Sequence, residues 1–141
     1  MVKDNSGQVS LEYLLIFAIS LIVLIVFTMP LLNQSMKTTM DVSDSLKMKS
    51  DLSKIASAIR IVYGEGQGSK QTVNINVVQP VKVNVGGEYI SCNLNLNDRS
   101  NKYIKVHCKS NLKFSSITLK KGMNSIVVEW PVGKEEMIIN T

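Results

Sequence analysis

The sequence predicts an α+β chain in which one long N-terminal α-helix precedes a small antiparallel β-sheet head. Three observations predict it. Tyr13 to Leu32 is a run of twenty residues without a formal charge. Between Leu52 and Val62 the apolar residues step by three and four, the spacing of a helix face. From Gln71 onward the period changes to two, the spacing of half-buried strands. The chain has 141 residues, room for one domain or for one domain and an appendage. Its averages, 45% apolar, 19% charged and 6% aromatic, describe no single region, because the apolar residues are unevenly distributed. That distribution argues against an ordinary soluble cytoplasmic enzyme.

The apolar run reads YLLIFAISLIVLIVFTMPLL, and only Ser20 and Thr28 carry polar side-chain groups. As a helix it spans roughly 30 Å, the hydrocarbon thickness of a bilayer. A cleaved secretory signal would have an apolar stretch of roughly 7–15 residues and a small-x-small cleavage site. This run is longer, and Thr28 to Asn33 offers no such site. A buried core helix would need cover on every face, more than so short a chain provides. A retained single span is the reading adopted. Lys3 beside Asp4 gives little charge bias for orientation. The cysteines and the polar, Asn-rich strands further on suit the outside, so the bulk of the chain is placed extracellularly. Glu12 breaks the pattern, since an ionised carboxylate costs up to about 3 kcal/mol near mid-bilayer and less toward the interface. Either it marks the interface and snorkels, or it awaits a positive partner once the helix packs among others.

Ser6-Gly7-Gln8-Val9-Ser10-Leu11-Glu12 followed by an unbroken apolar helix resembles the class III signal peptide of archaeal type IV pilins. That family's pattern is Gln-x-Ser-x-Glu-x-x-x-Leu, cut by a prepilin peptidase just before the Gln. Gln8, Ser10 and Glu12 match in register, and the Leu position falls on Ile16, with Leu14 and Leu15 nearby. The resemblance implies that Gly7 ends a short polar leader, residues 1–7, and that processing involves Gly7, Gln8, Ser10 and Glu12. It also implies that Glu12 pairs with the new terminal amine of a neighbouring subunit during assembly. That pairing would explain an expensive carboxylate. Leu, Ile and Val around the whole circumference are what a helix needs when neighbours surround it.

Pro30 removes one backbone hydrogen bond, so a kink or local unwinding is expected there. Asn33 to Val62 has helical composition, with apolar residues at Met36, Met40, Leu46, Leu52, Ile55, Ile59 and Val62. This stripe packs on its own domain, continues a filament seam, or does both along different lengths. The helix stops at Tyr63-Gly64-Glu65-Gly66-Gln67-Gly68. No Gly-Lys-Ser/Thr follows these glycines and no strand precedes them, which makes a linker rather than a phosphate loop. The organisation is thus a leader at 1–7, the long helix over 8–63 with its span at about 13–32, and the head over 64–141.

In the head, Val73, Ile75 and Val77, then Val81, Val83 and Val85, alternate with polar residues. Ile90, Cys92, Leu94 and Leu96 follow, and after a polar turn Ile104, Val106 and Cys108. Further strands are predicted at Lys113 to Leu119, Ser125 to Trp130 and Met137 to Ile139. Six or seven short strands describe an antiparallel head with one apolar face and one face coated with Asn, Lys and Ser.

Cys92 and Cys108 are the only cysteines, and a hairpin centred near Ser100 would set them opposite each other. In an extracellular domain the pair is expected as a disulfide, worth on the order of 3 kcal/mol; the alternative is two buried free thiols. His107 is the sole histidine, is predicted at the surface and has no companion for a metal site. With no nucleophile beside a base, neither catalytic residues nor a cofactor is expected, and the chain reads as a non-enzyme. Beyond Leu32 there are 15 Lys and Arg against 9 Asp and Glu, with Lys102, Lys105, Lys109, Lys113, Lys120 and Lys121 in the head. Such lysines keep strand edges soluble, with adhesion to anionic surfaces second. The aromatics look too few and scattered for a stacking platform, so nucleic acid is not an expected partner. Asn33-Gln34-Ser35 is a glycosylation sequon.

Taken with the resemblance, these features describe a structural subunit, a major or minor pilin. It would be processed before Gln8 by a prepilin peptidase and handed to a membrane assembly machinery. Its partners would be other pilins in a homo-oligomeric helical filament serving surface adhesion or cell contact. The alternative is an uncleaved single-pass anchor presenting an extracellular β binding module.

Overall fold

The computed structural model describes residues 5–97 and 100–141, with side chains from Ser10 onward apart from residues 98 and 99. Helix α1 runs Asn5–Glu65, 61 residues. It begins inside the expected leader, of which residues 1–4 lie outside the described residues. The chain divides into two units, Met1–Thr39 and Met40–Thr141.

The first unit is helix alone in its described residues. Its two polar groups within the apolar run are satisfied locally. Ser20 Oγ donates to the Ile16 carbonyl at 2.8 Å and Thr28 Oγ1 to the Leu24 carbonyl at 2.6 Å. Such back-bonding leaves no hydroxyl proton for the hydrocarbon to strand. Pro30 sits inside the helix, and the helix continues through it without a break. Of the kink or local unwinding expected there, the helix shows no unwinding. A proline ring removes a single N–H, and the bonds on either side hold the turn.

Among its described residues the second unit joins the last part of α1 to seven strands: β1 (Lys70–Val77), β2 (Val81–Val85), β3 (Tyr89–Asn95), β4 (Asn101–His107), β5 (Ser115–Leu119), β6 (Gly122–Glu129) and β7 (Ile138–Asn140). They form two antiparallel sheets, a three-stranded one ordered β1-β6-β7 and a four-stranded one ordered β4-β3-β2-β5. Their alternating side chains meet those of α1 in one core. Leu52, Ile55, Ile59 and Val62 are fully buried in it, joined by Met48 at the stripe's start. Met36, Met40 and Leu46, also part of the predicted stripe, are exposed. Apolar packing thus claims the helix from Met48 onward, and burial begins earlier, at Asp41 and Ser45. Asp41 is buried as well, and its Oδ1 accepts the Asn97 backbone N–H at 2.9 Å and the Asn97 side-chain N–H at 2.8 Å.

The helix ends where Gly66 adopts φ +87° and donates its N–H to the Val62 carbonyl at 3.0 Å, a left-handed cap that a Cβ would strain. The linker beyond is clamped: Trp130 N donates to Ser69 O, and Gln67 Nε2 donates to Lys134 O at 2.9 Å. Tyr63 stacks on Trp130, ring centroids 5.9 Å apart and planes within 2°.

The β3–β4 hairpin corrects the expected disulfide. Its register pairs Cys92 with Ile104, while Cys108 lies past the strand end and donates its N–H to the Glu88 carbonyl. Cys108 is therefore level with Glu88, four residues along β3 from Cys92. At the rise of a strand that is ~13 Å, about twice the Cα separation a disulfide spans. Both cysteines are buried free thiols.

Candidate processing and assembly segment

The residues that matched a cleavage motif lie in the first turns of α1. Ser10 and Glu12 are exposed, whereas the side chains of Gly7 and Gln8 lie outside the described residues. Gln8 and Glu12 are one helical turn apart, a spacing that puts them on one face. A terminal amine created at residue 8 would start ~6 Å along the axis from the Glu12 position. Glu12 joins none of the ion pairs among the described residues, which are Lys54–Asp51, Lys70–Glu129 and Lys113–Glu136.

Behind Glu12 the helix is long and apolar enough to cross a membrane, and none of its most apolar window is buried within the chain. Leu14, Phe17, Ile22, Leu24 and Val26 point in different directions around it, and each is more than half exposed. No single apolar stripe exists for one partner to cover. A helix of this kind is stable only with lipid or other helices around its whole circumference.

Residues 6–31 match the family model described as class III signal peptide. The chain carries a class III signal peptide. The match takes in Gly7, Gln8, Ser10 and Glu12 and extends to Leu31, one residue short of the end of the apolar run. It supports a type IV pilin-like protein, a membrane-anchored precursor that a prepilin peptidase processes for pilus assembly. The long apolar helix followed by two small antiparallel sheets is the α+β architecture of a pilin-like chain. No curated protein and no solved structure matches the chain.

The remaining candidates fall in separate places. Asn33 of the sequon is exposed on α1, and His107 is exposed on β4 opposite Tyr89. Among the described residues no three His, Cys, Asp or Glu side chains gather as a metal site. Burial pushes the Cys92 thiol up from 9.0 to about 11. It raises Cys108 too, against a lowering pull from the Arg60 guanidinium.

Sequence reasoning missed one grouping. Tyr89, Tyr103 and Phe114 look scattered along the chain, yet they share the outward face of the four-stranded sheet. The cross-strand pairs place Tyr89 beside His107 and Tyr103 beside Asn93 on the side opposite Ile90 and Cys92. Phe114 covers Gly86, where an added Cβ would lie 3.7 Å from the ring. The sequence signal was the odd–even phase of Tyr89 and Tyr103, which is opposite to that of their apolar neighbours.

Proposed function

We propose that this pilin-like chain is a structural subunit, major or minor, of an archaeal type IV pilus-like surface filament. Cleavage between Gly7 and Gln8 frees an amine that pairs with Glu12 of a neighbouring subunit. The apolar helices then leave the bilayer and bundle, while the heads face the outside and serve adhesion or cell contact. The work is done by the polymer rather than by an active site, and no cofactor takes part. The observation that carries this reading is a class III signal peptide running into a helix that is apolar and uncovered all round.

The test is the N-terminal mass of the protein taken from the native cell surface, with Gly7, Gln8 and Glu12 substituted in turn. A mature chain beginning at Gln8 is expected. Glu12→Gln is expected to cut filament yield at least tenfold by sedimentation among the chains that are cleaved, because the assembled state uses the carboxylate beyond its place in the processing motif. A chain from the cell surface that still begins at Met1 or Val2 sinks the reading. That outcome promotes an uncleaved anchor presenting a β binding module, a second reading favoured by the separate core of the Met40–Thr141 unit.

A further inference from the structure

The outward face of the four-stranded sheet exposes Lys82, Asn93, Tyr103 and Lys105 around a buried Ser91, and the filament reading leaves the chemistry of that face unused. Tyr103 is 58% and Phe114 71% exposed, a large apolar area to leave in water. Phe114 and Tyr89 stand two strands apart, ~10 Å, and Tyr103 lies ~14 Å from Tyr89, one strand over and four residues along. The Lys105 ammonium sits 4.0 Å over the Tyr89 ring centre, a cation already held against an aromatic face. Lys82 stands beside Thr118 on the neighbouring strand, on the same outward side as Asn84. Asn84 and Asn95 add amides, and no carboxylate occupies an outward position of these strands among the described residues.

Each ingredient selects for part of a ligand. Separated rings suit an extended chain with repeated apolar patches rather than one small molecule. Amides and hydroxyls between the rings donate to and accept from a hydroxyl-rich surface. The two lysines, within a head that carries ten Lys and Arg against six Asp and Glu over residues 64–141, call for negative charge at intervals. Single-stranded nucleic acid fits less well, because it presents a phosphate at every residue and needs a continuous basic groove. This face is open, holds two lysines and has no arginine among its described residues.

We propose that the outward face of the β4-β3-β2-β5 sheet binds an acidic, carboxylate-bearing polysaccharide, with Tyr103 and Phe114 stacking on sugar rings, Lys82 and Lys105 pairing with uronate groups, and Tyr89 holding Lys105 in place from beneath. The inference gives a ligand class to the surface adhesion proposed above and rests on that placement, but not on cleavage at Gln8.

The full chain, purified in detergent micelles, is titrated with polygalacturonate, with dextran as neutral control and oligo-dT as phosphate control. Polygalacturonate is expected to bind. Phe114→Ala or Tyr103→Ala is expected to weaken it tenfold or more, and Lys105→Gln to weaken it most at low salt. Lys134→Gln, off this face, leaves it unchanged, and every variant keeps the wild-type melting temperature. Equal binding by wild type and the aromatic variants overturns the proposal. So do equal affinity for dextran and tighter binding of oligo-dT. Unchanged binding together with loss of filaments in the aromatic variants assigns the face to a second copy of the chain and also overturns it. Failure of the chain to bind, when the protein at the native cell surface begins at Gln8, defeats this inference alone, whereas binding together with a native N-terminus at Met1 or Val2 defeats only the processing.

Discussion

Asp41 holds a turn 56 residues away, because one carboxylate oxygen accepts both N–H groups of Asn97 in a buried site. Removing that acceptor strands two donors. Asp41→Ala is therefore expected to cost about 1–3 kcal/mol in urea denaturation, and Asp41→Asn, which keeps a carbonyl oxygen there, less. Cys92 makes a prediction of opposite sign in pH. Its folded-state pKa, about 11, lies above the ordinary 9.0, so the native state holds the proton more tightly than the unfolded chain does. Stability from this group is complete below pH 9 and is lost as pH rises toward 11. Denaturation midpoints are expected to fall across that window, and Cys92→Ala is expected to flatten the fall. The same burial makes native Cys92 alkylate slowly at pH 8, where the thiolate is on the order of one in a thousand. Rapid labelling of the folded chain would contradict it.

At the scale of elements, the α1 stripe is the main tie between helix and sheets. Leu52 and Ile55 are fully buried, so Leu52→Ala or Ile55→Ala is expected to cost 2–5 kcal/mol, read as a lower urea midpoint at unchanged slope. Leu46→Ala, on the exposed side of the same helix, is expected to change the midpoint little. These contrasts mark what the sequence made legible. Steps of three and four announced the stripe, and strict alternation announced all seven strands to within a few residues. The β3–β4 register was not legible. Pairing around residue 100 and the observed pairing of Cys92 with Ile104 put the same residues inside, because the two differ by an even shift. Hydrophobic pattern is blind to such a slip, and only turn geometry in the polar stretch after Asn95 decides it.

The whole chain divides its labour between a unit with no core and a unit with its own. A fragment starting at Met40 retains every core side chain, so it is expected to be soluble and to unfold cooperatively. The full chain is expected to partition into detergent. Failure of the fragment to fold would mean that the core needs the apolar segment. The processing segment was readable from the linear order of Gln8, Ser10 and Glu12. The aromatic face was not, because it depends on β5 crossing to pair with β2 and bring Phe114 over Gly86. Non-local strand order is the information that a single sequence hides best.

β7 has a consequence in the timing of synthesis. It is the last strand, and together with the residue before it supplies Met137 and Ile139 to the core. β1 meanwhile has no strand of its own sheet to pair with until β6 has been made. The ribosome therefore delivers the membrane-seeking helix first and the residues that close the core last. During that interval the helix has to be received by lipid or by a chaperone. A stop codon placed just before Met137 would release a chain that is already anchored but cannot finish folding, leaving its half-made sheets exposed to quality-control proteases.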